Sequence, residues 1–199
     1  MGHNKLYPIF LKMNNFNTLI VGGGMVGEEK LHFLLKSSPD AKIHLVAIDV
    51  SAKIFSIAQE FPQVTICQKA FEVQDVIGKS LVIAATSFHE VNMQVYHACQ
   101  SQGILINVAD TPELCDFYLG SIVTKGDLKI AISTNGKSPT FAKRFRELLE
   151  ENLPDSIDGI LSKLSEIRNK LSGDFQSKVQ KLDEITDILK DKGDVLEEK

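Results

Sequence analysis

Gly22-x-Gly24-x-x-Gly27 constrains this chain more than any other feature, because of what stands on either side of it. The apolar, partly β-branched run Thr18-Leu19-Ile20-Val21 leads straight into the glycines, and Leu31, Leu34 and Leu35 follow at helical spacing. Ser38-Pro39-Asp40 stops that helix and Lys42 to Ala47 reads as a second strand, completing a βαβ unit of about thirty residues and so implying a parallel sheet. A glycine triplet alone is weak, but inside such a unit it predicts a dinucleotide site. The backbone must turn tightly there, and a Cβ would block approach of a pyrophosphate to the anion-attracting N–H groups of the helix start. A packing turn that binds nothing is the alternative. Asp49 lies 22 residues after Gly27, past the second strand, where a carboxylate accepts from a ribose hydroxyl and favours NAD over NADP. It could equally cap the next helix.

The rhythm continues with a helix around Ser51 to Glu60, strands at Val64 to Gln68 and Leu81 to Ala85, a helix around Glu90 to Ser101 and a strand at Ile104 to Val108. This alternation predicts an α/β fold with a doubly wound, Rossmann-type parallel sheet. Past Asp110 the pattern changes. Tyr118 to Thr124 and Leu128 to Ser133 are apolar runs separated by Lys125-Gly126-Asp127, which reads as a β-hairpin. Ser138 as cap and Pro139 at the first helical position then start a helix through Phe141, Phe145, Leu148 and Leu149, ended by Pro154. Ile157, Ile160, Leu161, Leu164, Ile167 and Leu171 describe an amphipathic helix, broken at Gly173. A second follows through Phe175, Val179, Leu182, Ile185, Ile188 and Leu189, and both apolar faces need a partner. Asp191 to Lys199 is polar enough to fray.

Charge and composition narrow the function classes. Residues 1–150 carry 14 basic and 14 acidic side chains, and residues 151–199 carry 8 and 12, so the net charge of -4 belongs to the tail. Neither part has the basic excess that neutralises phosphates, and nucleic acid is not an expected partner. No apolar run approaches the roughly 20 residues of a membrane span, Met1 to Phe10 lacks a signal-peptide core, and Leu6 stands where a myristoylation motif wants Ser or Thr. A cytoplasmic protein is expected. Cys67, Cys99 and Cys115 form no C-x-x-C pair and read as reduced thiols. The five histidines show no metal-ligand spacing, so any metal is expected as a substrate and none as a resident ion.

Two strand ends fall where a doubly wound sheet meets its ligand: Ala84-Ala85-Thr86-Ser87, whose small residues can lie against a cofactor, and Asn107-Val108-Ala109-Asp110. Asp110 emerges from the apolar run ILINVA, where partial burial would raise its pKa and suit it to acid–base work, although a turn aspartate before Thr111-Pro112 looks the same in sequence. Ser133-Thr134-Asn135-Gly136-Lys137-Ser138-Pro139 offers hydroxyls, a glycine turn and a lysine ahead of a helix, a place for an acidic ligand or an ordinary capped loop. It is not a P-loop, because Ala131 stands where that motif needs glycine. Lys143, Arg144 and Arg146 by themselves describe a solvated helix face.

Taken in order, Tyr7-Pro8-Ile9-Phe10-Leu11, Leu19 to Gly24 with Val26 and Lys30, Ala84-Ala85-Thr86 with Asn92, Asn107 to Asp110, Cys115-Asp116-Phe117 and Ala131 to Pro139 resemble the precorrin-2 dehydrogenase/sirohydrochlorin ferrochelatase family, the N-terminal module of sirohaem synthase. The resemblance covers about Leu6 to Pro154. It implies NAD-dependent dehydrogenation of precorrin-2 to sirohydrochlorin and, in many members, insertion of Fe²⁺ as a second substrate to give sirohaem. It also implies a homodimer, with a Rossmann domain over residues 1–112, a dimerisation and substrate segment over 113–152 and a helical region over 153–199. By position, Met25, Val26, Ile48 and Asp49 fall at the cofactor turns with Gly22, Gly24, Gly27 and Thr86, and Asp110 falls on the catalytic aspartate. Asn107, Ser133, Thr134, Lys137, Ser138 and Arg144 are the candidates for the tetrapyrrole and its carboxylates. The chain departs from many members in Gly27 for Ala, Glu29-Lys30 for an Arg-Lys pair, Asn135 for Gly and Gly120 for a nearby Pro. The methyltransferase domain of the fused enzymes is not expected here, so precorrin-2 would come from another protein. A dehydrogenase that leaves chelation to a separate protein, a non-catalytic nucleotide- or tetrapyrrole-binding sensor and an NAD-dependent oxidoreductase on another substrate remain the alternatives.

Overall fold

The computed structural model describes residues 4–171 and 175–186. Five parallel strands, β1 (Asn17–Val21), β2 (Lys42–Ala47), β3 (Val64–Gln68), β4 (Leu81–Ala84) and β5 (Leu105–Val108), form a sheet in the order β3-β2-β1-β4-β5. Helices α1 (Met25–Ser37), α2 (Ala52–Glu60) and α3 (His89–Gln102) make the crossovers. No long helix joins β3 to β4. The chain passes through a single 3₁₀ turn, Val73–Val76, closed by a reciprocal Glu72/Asp75 cap, with Lys69 Nζ 2.9 Å from both carboxylates.

Apart from the half-exposed edge strand β3, the strands are largely apolar because both faces of the sheet are covered. Successive side chains alternate: Leu19 and Val21 face Val95, Ala98 and Cys99 of α3, while Ile20 packs with Leu31 and Leu35 of α1 and Ile54 of α2. Most of these side chains are fully buried, each worth roughly 1.5–3 kcal/mol of transfer free energy. The strand predicted from Ile104 begins one residue later, because the Ile104 amide donates back to the Cys99 carbonyl of α3 at 3.0 Å. The order of strands reverses between β1 and β4, so their carboxyl ends flank the crevice in which such sheets bind ligands.

Strands β6 (Ser121–Lys125) and β7 (Leu128–Ile132) form the expected hairpin, and α4 (Pro139–Asn152), α5 (Ile157–Lys170) and α6 (Phe175–Thr186) follow. The predicted break at Gly173 and the positions Ile188, Leu189 and 191–199 lie outside the described residues. The chain divides into two compact units, residues 1–122 with 132–143 and residues 123–131 with 144–199. The first holds the sheet and the loop before α4. Within the second, the hairpin tip is fixed to the start of α5: Lys125 Nζ lies 2.6 Å from Asp155 Oδ1, and the Asp127 amide donates to Asp158 Oδ1 at 2.8 Å. Gly126, at φ +55°, leaves no room for a Cβ beside the Asp158 carboxylate. Helix α5 has no fully buried residue, and Ile160, Val179 and Ile185 remain at least 40% exposed. Among the described residues no helix is long and apolar enough to cross a membrane.

Candidate active site

The glycine turn is built from four glycines with two different reasons to be glycine. Gly22 donates to the Val46 carbonyl at 2.9 Å and sits at φ +123°, where a Cβ would run into the Ala85 carbonyl. A Cβ on Gly23 would meet the Asp49 carbonyl, and one on Gly27 would fall on the Gly22 carbonyl. These three are glycine because the protein packs onto them. Gly24 is different: nothing lies within 4 Å of the place its Cβ would occupy. It is the N-cap of α1 and supplies no side chain, so the first-turn amides of Met25, Val26 and Gly27 have no side-chain cap. A cradle that a Cβ would fill, in front of uncapped helix amides, suits a dinucleotide pyrophosphate. Met25 and Ile48 are exposed on this rim, and Val26 packs partly into the core.

Two carboxylates stand beside the turn. Ser51 caps α2, its Oγ accepting the Ile54 amide at 3.3 Å, so the capping role that sequence left open for Asp49 is already filled. Asp49 is exposed, and its carboxylate takes no hydrogen bond from the described chain. Glu28, which sequence gave no reason to single out, accepts the Ser51 hydroxyl at 2.8 Å and pairs with Lys53 at 3.2 Å. The Ser51 hydrogen bond first, and Lys53 second, hold its carboxyl below the ordinary 4.5.

The end of β4 is locked by Asn92 of α3, which is buried. Asn92 Oδ1 accepts the Thr86 hydroxyl at 2.7 Å and the Thr86 amide at 3.2 Å, and its Nδ2 donates to the Thr86 carbonyl at 3.0 Å. The Thr86 oxygen also accepts the Phe88 amide at 3.2 Å, so its side chain is spent on the shape of the turn.

Asp110 lies two residues past the end of β5. The Ala109 amide donates to the Ala84 carbonyl at 2.9 Å, so Asp110 stands next to the β4 end against which Gly22 packs. The partial burial expected from its apolar strand is not found. Asp110 adopts φ +58°, in the left-handed region, and this turn carries it out of the sheet into an exposed position with no hydrogen bond from the described chain. Aspartate tolerates that region better than most residues, at some cost in strain. Asn107 is buried, and its Nδ2 donates to the Phe117 carbonyl at 2.8 Å.

The loop before α4 uses its hydroxyls as acceptors: Ser133 Oγ for the Asn135 amide at 3.2 Å, Thr134 Oγ1 for Ser138 at 3.1 Å and Ser138 Oγ for Phe141 at 3.1 Å. Asn135 and Gly136 are both left-handed, which is why a family with glycine at the former position tolerates asparagine there. Lys137 is exposed in this loop. Arg144, also exposed, belongs to the second unit, and Arg146 beside it pairs with Glu150 and Glu147. Among the described residues no group of three or more His, Cys, Asp or Glu could hold a metal ion.

A family model described as "Putative NAD(P)-binding" matches residues 9–121, and one described as "Sirohaem biosynthesis protein central" matches residues 125–152. The chain is 32% identical to a siroheme synthase of Nitrosomonas europaea over 84% of this chain and 35% of that protein. It is 37% identical to one of Pseudoalteromonas translucida over 85% of this chain and 35% of that protein. It thus spans about a third of the length of the curated relatives it matches. Among solved structures, SirC, precorrin-2 dehydrogenase, superposes with a TM-score of 0.70 at 27% identity, covering 90% of this chain and 89% of that one. The chain belongs to the NAD(P)-binding family of sirohaem biosynthesis, the family its motifs resemble.

Proposed function

We propose that this chain is a precorrin-2 dehydrogenase that uses NAD, giving sirohydrochlorin. The observation that carries the reading is the contiguity of an open glycine turn, the β4 end and an exposed left-handed aspartate, linked through Gly22 against Ala85 and the Ala109–Ala84 hydrogen bond. Bound at the turn, NAD supplies a hydride acceptor. The uncapped amides of Met25, Val26 and Gly27 hold its pyrophosphate, and Asp49 accepts from the ribose hydroxyls, which disfavours a 2′-phosphate. Asp110 takes the proton that precorrin-2 loses as the hydride leaves, so the two hydrogens of the oxidation are both accounted for. Lys137 and the hydroxyls of Ser133, Thr134 and Ser138 receive substrate carboxylates, with Arg144 a further cation for them. Asn107 serves indirectly, by tethering Phe117.

Fe²⁺ insertion is the second half of the proposal: the ion enters as a substrate, is taken up by the tetrapyrrole nitrogens, and Asp110 accepts the pyrrole protons released. A homodimer is the third. It is supported by Ile160 of α5, Val179 and Ile185 of α6 and Leu148 of α4, apolar side chains that are each at least 40% exposed. Residues 1–112 serve the cofactor, 113–152 dimerisation and substrate, and 153–199 the dimer.

Anaerobic conversion of precorrin-2 with NAD⁺, followed optically before and after Fe²⁺ addition against an enzyme-free control, tests the reading. Sirohydrochlorin should form at once and become sirohaem faster than in the control. No turnover of precorrin-2 overturns the dehydrogenase; sirohydrochlorin that stalls leaves a dehydrogenase dependent on a separate chelatase.

A further inference from the structure

One sulfur atom gathers the backbone on both sides of Asp110. Cys115 Sγ lies 3.3 Å from the Val108 amide nitrogen, 3.2 Å from the Val108 carbonyl and 3.4 Å from the Thr111 carbonyl, with Asn107 Nδ2 also at 3.4 Å. A thiol has a single proton, shared here between the two carbonyls, and its lone pairs accept the Val108 amide and the Asn107 side chain. The larger radius of sulfur lets one atom serve groups on three residues that an oxygen would reach less evenly. The Thr111 amide adds a bond to the Val108 carbonyl at 3.2 Å. Residues 108 and 111 are therefore pinned together, and Asp110 between them is held at φ +58°.

The neighbouring residues fix the sulfur in turn. The Asp116 amide donates to the Ile106 carbonyl at 2.8 Å, Asp116 Oδ2 accepts the Ile106 amide at 3.0 Å, and Asn107 donates to the Phe117 carbonyl. Cys115-Asp116-Phe117 is thus laid along β5 with the sulfur at its end.

We propose that Cys115 is a positioning residue for Asp110, holding the left-handed turn that presents the carboxylate to the substrate. The inference rests on the reading of Asp110 as the proton acceptor. Burial pushes the Cys115 thiol up from its ordinary 9.0, which keeps it protonated as a donor and unsuited to act as a nucleophile. Without the sulfur the turn keeps only the Thr111 bonds to the Val108 and Ala109 carbonyls, and Asp110 is freer to relax to a negative φ, which swings the carboxylate away while leaving the glycine turn untouched.

The test measures precorrin-2 turnover and NAD affinity in the full chain for Cys115→Ala, Cys115→Ser, Asp110→Asn and the Cys115→Ala/Asp110→Asn double variant. Cys115→Ala should lower kcat about tenfold with NAD Kd unchanged, Cys115→Ser should recover part of the loss, and the double variant should be no slower than Asp110→Asn alone. If Cys115→Ala turns over at the wild-type rate while Asp110→Asn is inactive, the positioning role is overturned and the role of Asp110 stands. Parallel loss of kcat and NAD affinity in both cysteine variants means a general structural role and also overturns it. Should Asp110→Asn itself keep near-normal turnover, the assignment of Asp110 falls and the inference with it.

Discussion

Thr86 and Asn92 satisfy each other in both directions, the asparagine amide closing on the threonine amide, hydroxyl and carbonyl at 2.7–3.2 Å. One buried side chain of α3 therefore sets the shape of the β4 end, on which Gly22 packs.

Replacing that side chain leaves part-buried polar groups of Thr86 short of partners. Asn92→Ala should cost about 1–3 kcal/mol of stability by urea unfolding. It should also weaken NAD binding by isothermal titration, because the turn facing the cofactor loses its lock. Unchanged affinity in a destabilised protein would separate the lock from the cofactor site.

The glycines should divide by function. Gly24→Ala adds a methyl group in open space, so the melting temperature should move by no more than a few degrees while NAD affinity falls at least tenfold. Gly22→Ala meets the Ala85 carbonyl at a positive φ and should be destabilised by at least about 1–3 kcal/mol. Thermal melts with and without NAD distinguish the two. Full NAD affinity in Gly24→Ala would place the pyrophosphate elsewhere.

Glu28 gives a pH signature. Its carboxyl titrates below 4.5 in the folded protein, so its contribution to stability is complete above that value and lost as pH falls through the lowered folded value. Unfolding curves between about pH 3 and 6 should show a shallower acid decline in Glu28→Gln than in the wild type. Identical slopes would mean that the Ser51 and Lys53 contacts do not bias the titration.

Asp49 should act on cofactor choice alone, since its carboxylate is bonded to nothing in the described chain and Ser51 caps α2. Asp49→Ser is expected to leave the melting temperature unchanged and to reduce the NAD over NADP preference in kcat/KM by about tenfold, the worth of a charge-assisted hydrogen bond. A preference that survives intact points to Glu28 or the loop backbone as its source.

Strand β2 was legible to the residue because most of it is buried, which writes it as an apolar run between turn signals, and the half-exposed edge strand β3 was legible through its β-branched Val64, Thr65 and Ile66. The α4 start was legible because Ser138 and Pro139 each have a local reason to be there. What sequence did not show is contact between residues distant in the chain. Gly23 lies outside the glycine triplet yet is as confined as Gly22 by the loop after β2. Glu28 meets Ser51 only because α1 and the β2–α2 loop converge, and nothing in either segment announces it. The apolar run before Asp110 suggested burial, but a single left-handed residue is enough to reverse where a side chain points. Cys115-Asp116-Phe117 stood out only through resemblance, since a side chain that replaces backbone pairing has no periodicity.

The clasp along β5 has one further consequence. β5 is a margin of the sheet, and alternate residues of a marginal strand turn their amides and carbonyls outward, ready to pair with a strand of another molecule. Here the Ile106 carbonyl is taken by the Asp116 amide, while the Ile106 amide is taken by the Asp116 carboxylate and Val108 by the Cys115 sulfur, side-chain atoms that cannot propagate a ladder. The same three residues that present Asp110 also close this side of the sheet to extension, so a lesion in them should expose the protein to strand-mediated aggregation as well as to slower turnover.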